Sequence, residues 1–146
     1  MDRISLPEEA ENCIALADEQ GNTPLEAPVA QKNARPMYEE RHWGDYRVLD
    51  YKQADGVSSL VKRICIEAGK AISYQYHNKR SEIWVIVSGT GVLTIEDEDS
   101  AVSPGHVVQI PLGAKHSVRA ETELEFIEVQ LGAGALEEED IVRLPR

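Results

Sequence analysis

Residues 69–89, GKAISYQYHNKRSEIWVIVSG, place Gln75, His77 and Glu82 between two glycines. Gln75 and His77 are two positions apart, so on a β-strand their side chains share a face. After the polar turn Asn78 to Ser81, Glu82 opens a second apolar run, Ile83 to Val87, and the stretch reads as a hairpin. Residues 105–118, GHVVQIPLGAKHSV, add His116 just after a turn marked by Pro111 and Gly113. One amide, two imidazoles and one carboxylate form a mixed nitrogen and oxygen donor set. Such a set suits zinc, manganese, iron, cobalt or nickel better than a soft thiolate site does, and it leaves coordination positions for water or substrate.

Around the hairpin the chain continues in short apolar runs. SSLVKRICIEAGK alternates from Leu60 to Ile66, and GVLTIED, HVVQIP, HSVRA and LEFIEVQLG follow with Gly, Pro, Asp or Ser between them. Many short strands with almost no helical period predict an all-β antiparallel sandwich or barrel. HWGDYRVLDY, residues 42–51, reads as an opening strand-like segment broken at Gly44, and LEEEDIVRL, residues 136–144, as a short helix or an extended tail. Residues 1–35, punctuated by prolines, read as an arm that is loosely ordered or covers a sheet edge; EEAENCIALADEQ within it could form a short helix. Residues 36–146 form the expected domain.

A chain of 146 residues suits one core. It has no apolar run approaching the roughly twenty residues of a spanning helix and no signal-peptide pattern, so no membrane role and a cytoplasmic location are expected. Acidic residues outnumber basic ones 26 to 15, which argues against nucleic acid as a partner. Lys62, Arg63, Lys79 and Arg80 nevertheless cluster near the proposed ligands and could meet a small anion. Cys13 and Cys65 lie in unlike contexts and read as reduced thiols, Cys65 as a small core residue.

The spacings carry a resemblance. Gly69, five residues, Gln75, one, His77, four, Glu82, six, Gly89 matches the first cupin motif, with Gln75 where most cupins place a histidine. Gly105, five residues, Pro111, one, Gly113, two, His116 matches the second. Together with RHWGDYRVLDY, LEFIEVQLG and EEEDIVRL, they make residues 36–144 similar to the cupin domain of type II mannose-6-phosphate isomerases. The resemblance implies a double-stranded β-helix, a jelly-roll barrel holding one divalent metal on Gln75, His77, Glu82 and His116. It also implies a small-molecule sugar phosphate as substrate and an active-site role for Arg80.

By strand parity, Ser73 joins the face of Gln75 and His77, while Trp84 and Ile86 join that of Glu82. Trp84 reads either as core filling or as a platform for a sugar ring. Lys62, Lys79 and Arg80 are candidates for the phosphate, and solvated surface charges are the ordinary alternative. Glu128 and Gln130 share a face of a late strand, with Glu128 or Lys79 as the proton carrier. Taken singly, each proposed ligand has an ordinary reading: hydrogen-bonded core histidines, an exposed strand glutamine, an ion pair of Glu82 with Arg80. Taken together at both spacings they read as a metal centre.

Asn78, Lys79 and Ile83 stand where the family usually carries histidines, which removes candidate proton carriers while leaving the four ligands. No Gly-rich phosphate loop precedes the domain, so guanylyltransferase activity is not expected. A metal-dependent sugar-phosphate isomerase acting through an enediolate is the leading expectation. A non-catalytic cupin that binds a sugar or sugar nucleotide in polysaccharide synthesis is the alternative, and an iron-dependent oxygenase a third class. The open edges of a small jelly roll suggest a homodimer.

Overall fold

The computed structural model describes residues 37–137 and 139–145; the expected arm, residues 1–35, lies outside them, with Cys13 and the candidate helix. Among the described residues the chain forms strands and no helix: β1 (Tyr38–Arg41), β2 (Gly44–Ala54), β3 (Val57–Ile66), β4 (Gln75–Tyr76), β5 (Arg80–Ser88), β6 (Gly91–Ile95), β7 (Glu98–Val102), β8 (Val107–Ile110), β9 (His116–Ala120), β10 (Leu124–Ala133) and β11 (Val142–Arg143). A six-stranded sheet runs β1-β2-β3-β10-β5-β8 and a five-stranded sheet β11-β4-β9-β6-β7, each antiparallel throughout. The two sheets close as the expected jelly-roll barrel, and no described helix is long and apolar enough to cross a membrane.

Alternation along β3, β5 and β10 decides what fills the barrel. Leu60, Lys62, Ile64 and Ile66 point inward from β3, Arg80, Glu82, Trp84 and Ile86 from β5, and Leu124, Phe126, Glu128 and Gln130 from β10. Register then sorts these side chains into layers. Ile64, Phe126 and Ile86 lie side by side, next come Lys62, Glu128 and Trp84, and then Leu60, Gln130 and Glu82. The barrel therefore has an apolar end, where Leu93, Val102, Val118 and Leu124 complete the core, and a polar end that carries the charges.

Two expectations need correction. Cys65 is half-buried on the outward face beside Arg63, because the inward set on β3 takes the even positions, so it is not a core residue. Gly44 does not break a strand but begins β2 at φ +151, where a Cβ would stand 2.0 Å from the Cys65 carbonyl oxygen, so β2 can start against β3 only with glycine. At the other end, the acidic tail takes its extended alternative, with Val142 and Arg143 pairing with Tyr76 and Gln75 across the mouth of the barrel.

Candidate metal centre and cavity

His77, Glu82 and His116 come together at the polar end, all three buried, with one donor atom of each lying within 4.8 Å of the others. β5 supplies Glu82 and β9 begins at His116. His77 follows β4, whose Gln75 sits opposite His116 in the ladder. Both rings are held from behind by main-chain carbonyls: His77 Nδ1–H donates to Asp140 O at 2.7 Å and His116 Nδ1–H to Ala114 O at 2.9 Å. That tautomer turns both Nε2 lone pairs toward Glu82.

His77 Nε2 lies 2.9 Å from Glu82 Oε2, and His116 Nε2 lies 3.8 Å from Glu82 Oε1 without any hydrogen-bond partner. An acceptor nitrogen against a carboxylate oxygen needs a positive charge nearby, and a buried nitrogen left unpartnered is costly. Donors about 2.1 Å from one divalent ion stand about 3.4 Å apart in a tetrahedral set, so the observed spacings and the orphaned His116 lone pair fit such an ion. Burial lowers the His116 pKa against the opposing pull of Glu82, which keeps the ring neutral and able to ligate.

Glu82 is fixed on both oxygens, with the Trp84 indole N–H donating to Oε1 at 2.9 Å and Arg80 Nε donating to Oε2 at 3.1 Å. Burial alone would raise its pKa, but the hydrogen bond from Glu128 and the Arg80 charge, with the His77 ring beside it, hold it well below the usual carboxylate range. Glu128 moves the other way. Burial first, and then the Glu82 charge, push it well above that range. Lys62 lies opposite Glu128 in the ladder with its ammonium 4.2 Å from the Tyr46 ring centroid, and Gln130 Nε2 reaches Glu128 Oε2 at 3.5 Å.

Beside this cluster opens a cavity of about 250 Å³, lined by Lys62, Ser73, Gln75, Arg80, Trp84, Glu128 and Gln130 among others. Gln75 is half-buried; its Oε1 accepts from Ser73 Oγ at 2.7 Å and its Nε2 lies 3.5 Å from His77 Nε2. Half a turn of the amide exchanges oxygen for nitrogen, and the serine hydroxyl accepts as readily as it donates, so Gln75 can present an oxygen to the same centre. Trp84 is almost fully buried, packed on Phe126 with ring centroids 4.6 Å apart and edge-on to His116, so it positions Glu82 more than it presents a sugar platform.

Lys79 is the sequence-predicted site residue that the fold leaves outside. Its exposed ammonium pairs with Glu137 at 3.5 Å, because the turn between β4 and β5 points residues 78 and 79 into solvent. Ile86, expected by parity to line the cavity, belongs to the apolar core below it. Asn78 is likewise exposed, and Ile83 lies on the outward face of β5. None of these three positions, where histidines are usual in the family, faces the cavity, so their replacement removes no proton carrier from it.

Sequence reasoning missed Asp140, whose carboxylate accepts the Asn78 and Lys79 amides at 2.9 Å each while its carbonyl holds His77. It also missed Arg41, His42, Trp43, Ile141 and Arg143 along the cavity wall. The aromatic opener HWGDY was a signal for part of that wall. Nothing in the acidic tail distinguished Asp140 from its neighbours.

Two antiparallel sheets rolled around a buried His-Glu-His cluster with motif spacing make this a cupin. Residues 30–146 match the family described as mannose-6-phosphate isomerase C-terminal, and the chain belongs to that family. Among curated relatives, a mannose-1-phosphate guanylyltransferase of Salmonella montevideo is 42% identical over 105 residues, covering 70% of this chain and 21% of the relative. The Escherichia coli K12 protein of the same name is 32% identical over 144 residues, covering 92% and 29%. The alginate biosynthesis protein AlgA of Pseudomonas syringae pv. tomato is 34% identical over 132 residues, covering 89% and 25%. The chain thus spans less than a third of the length of these relatives. Among solved structures, Streptomyces PAC13 with uridine aligns with TM-score 0.60 at 21% identity over 74% of this chain and 83% of that one. The capsular polysaccharide assembling protein CapF of Staphylococcus aureus aligns with TM-score 0.59 at 18% identity over 77% and 35%. At such identities the likeness is one of fold.

Proposed function

We propose that this domain is a metal-dependent sugar-phosphate isomerase that interconverts an aldose phosphate and a ketose phosphate of the mannose-6-phosphate type. The observation that carries the reading is the placement of the buried Glu128 carboxyl on the wall of a cavity that Lys62 and Arg80 also line, beside the His77-Glu82-His116 donors. His77, Glu82 and His116 would hold the ion with Gln75 completing the set, and a divalent ion there supplies Lewis-acid polarisation of a substrate oxygen.

The reaction transfers the C2 proton to C1 and the hydroxyl proton between the two oxygens, with no change in overall oxidation state. Glu128 suits the traffic. Its neutral carboxyl donates to the carbonyl oxygen, and the carboxylate so formed takes the proton from the neighbouring carbon to give the enediol. The same two moves in reverse order deliver the proton to C1 and release the C2 carbonyl. Lys62 lowers the cost of the transient Glu128 charge, and cationic side chains on the cavity wall hold the phosphate. A coupled assay for fructose 6-phosphate from mannose 6-phosphate, run with zinc, manganese, cobalt, nickel and iron, should show metal-dependent turnover. Absence of turnover in protein proven to hold metal refutes it.

The names of the relatives, mannose-1-phosphate guanylyltransferases and an alginate biosynthesis protein, favour a second reading, a sugar-nucleotide-binding module in polysaccharide synthesis. Calorimetric binding of GDP-mannose without isomerisation would select it.

A further inference from the structure

Arg80 stands where its charge interferes with the centre it adjoins. It opens β5 two residues before Glu82, so alternation points both side chains into the barrel, and the guanidinium is buried. Its Nε donates to Glu82 Oε2 at 3.1 Å and its Nη2 lies 3.2 Å from His77 Nε2. Those are two of the three atoms that face one another across the centre. His77, Glu82 and His116 do not themselves line the cavity, whereas Arg80 does. The guanidinium therefore stands between the cavity and the donor atoms.

We propose that Arg80 is a displaceable internal cation that holds the metal-free centre together, competes with the metal, and on displacement becomes a ligand for the anionic substrate. This rests on reading the donors as a metal site and the cavity as a site for a sugar phosphate. The lone pair of His77 Nε2 serves either the Arg80 N–H or a metal ion. Two positive charges about 3 Å from the same carboxylate oxygen repel strongly in a buried setting. Metal binding expels the guanidinium from Glu82, and the adjoining space is the cavity whose wall it already forms. There, beside Lys62, it needs an anion. Metal and anion consequently bind with positive linkage, and by reciprocity each tightens the other by the same factor.

The test titrates cobalt(II) against a competing chelator, following its visible spectrum, with and without saturating mannitol 1-phosphate, a sugar phosphate with no carbonyl to react. Wild-type protein should bind cobalt at least tenfold more tightly with the sugar phosphate present. Arg80→Gln should bind cobalt at least tenfold more tightly than wild type in its absence, and should lose most of the linkage. Linkage that persists undiminished in Arg80→Gln means that the anion acts on the metal directly and overturns the inference, as does unchanged or weaker cobalt binding by the folded variant. The wild-type titration stands without any variant: equal cobalt affinity with and without the sugar phosphate also overturns it. These readouts require no turnover, so an inactive protein with intact linkage refutes the isomerase reading alone, and an active one without linkage refutes this inference alone.

Discussion

Asp140 belongs to the tail that pairs with β4 through β11, and it fastens the turn on which the centre depends. Its carboxylate accepts two main-chain amides, from Asn78 and Lys79, at 2.9 Å each, and its own carbonyl accepts His77 Nδ1–H at 2.7 Å. Asp140→Ala removes both carboxylate bonds and leaves two turn amides to water. At a site open to solvent each bond contributes about 1 kcal/mol, so the loss is about 2 kcal/mol. In a domain of this size such a loss lowers Tm by roughly 6–10 °C. The carbonyl remains in the variant but is no longer anchored, so His77 loses the partner that fixes its tautomer, and metal affinity should fall about tenfold or more. Differential scanning calorimetry of the metal-free protein and chelator competition for zinc measure the two effects separately. If Tm moves by less than about 2 °C and zinc affinity is unchanged, the tail does not hold the ring, and packing against Glu82 and His116 must do so instead.

Metal-supplied wild-type protein should carry about one divalent ion per chain by elemental analysis, and His77→Ala and His116→Ala should each lose most of it, because each removes one of three converging donors. Gly89→Ala should destabilise the fold by more than about 2 kcal/mol in urea titration: at φ +86 a Cβ would stand 2.0 Å from the Glu123 carbonyl oxygen, and the backbone there has no side chain to move aside. The outward face of the larger sheet carries Val85 between Ile127 and Val107, with Ile83 beside Val129 in the next row. Val85 and Val107 are exposed. The homodimer expected from the sequence should pack through this strip, so Val85→Glu should shift light-scattering mass from dimer to monomer while leaving Tm of the isolated fold nearly unchanged.

How much of this was legible in the sequence follows from the range of the interactions involved. The alternation in β5 and β10 is local, so the barrel class, the shared face of Glu82 and Trp84 and that of Glu128 and Gln130 could be read directly. The motif spacings encode where turns fall, and they carried Gln75, His77 and His116 to the same end of the barrel. Charge alone had placed Lys79 with Arg80 among the candidates near the ligands, but β4 stops at Tyr76, and the turn carries residues 78 and 79 into solvent before β5 starts at Arg80. Asp140 and the residues across the mouth depend on pairing between β11 and β4, whose partners Val142–Tyr76 and Arg143–Gln75 are far apart in the chain, and no local pattern announces such a contact.

The polar end of the barrel is a poor way to build stability, and that is informative. Lys62, Arg80, Glu82 and Glu128 are each nearly inaccessible to water, and well-packed apolar side chains of similar volume in those positions would commonly be as stable or more so. Register makes the point sharper, since the neighbouring layer of Ile64, Phe126 and Ile86 fills the same three strands with hydrocarbon. The strands therefore have no difficulty supplying an apolar lining, and the change from apolar to charged occurs within one layer. In the charged layers the groups are closely placed: Arg80 and Trp84 hold the oxygens of Glu82, Gln130 reaches Glu128, and Lys62 lies across from Glu128. Only His116 Nε2 and Gln130 Oε1 are left without partners in this cluster. Both carry lone pairs, so both ask for a cation or a donor. A self-satisfied structural network would have closed on itself, whereas this one leaves two lone pairs unmet.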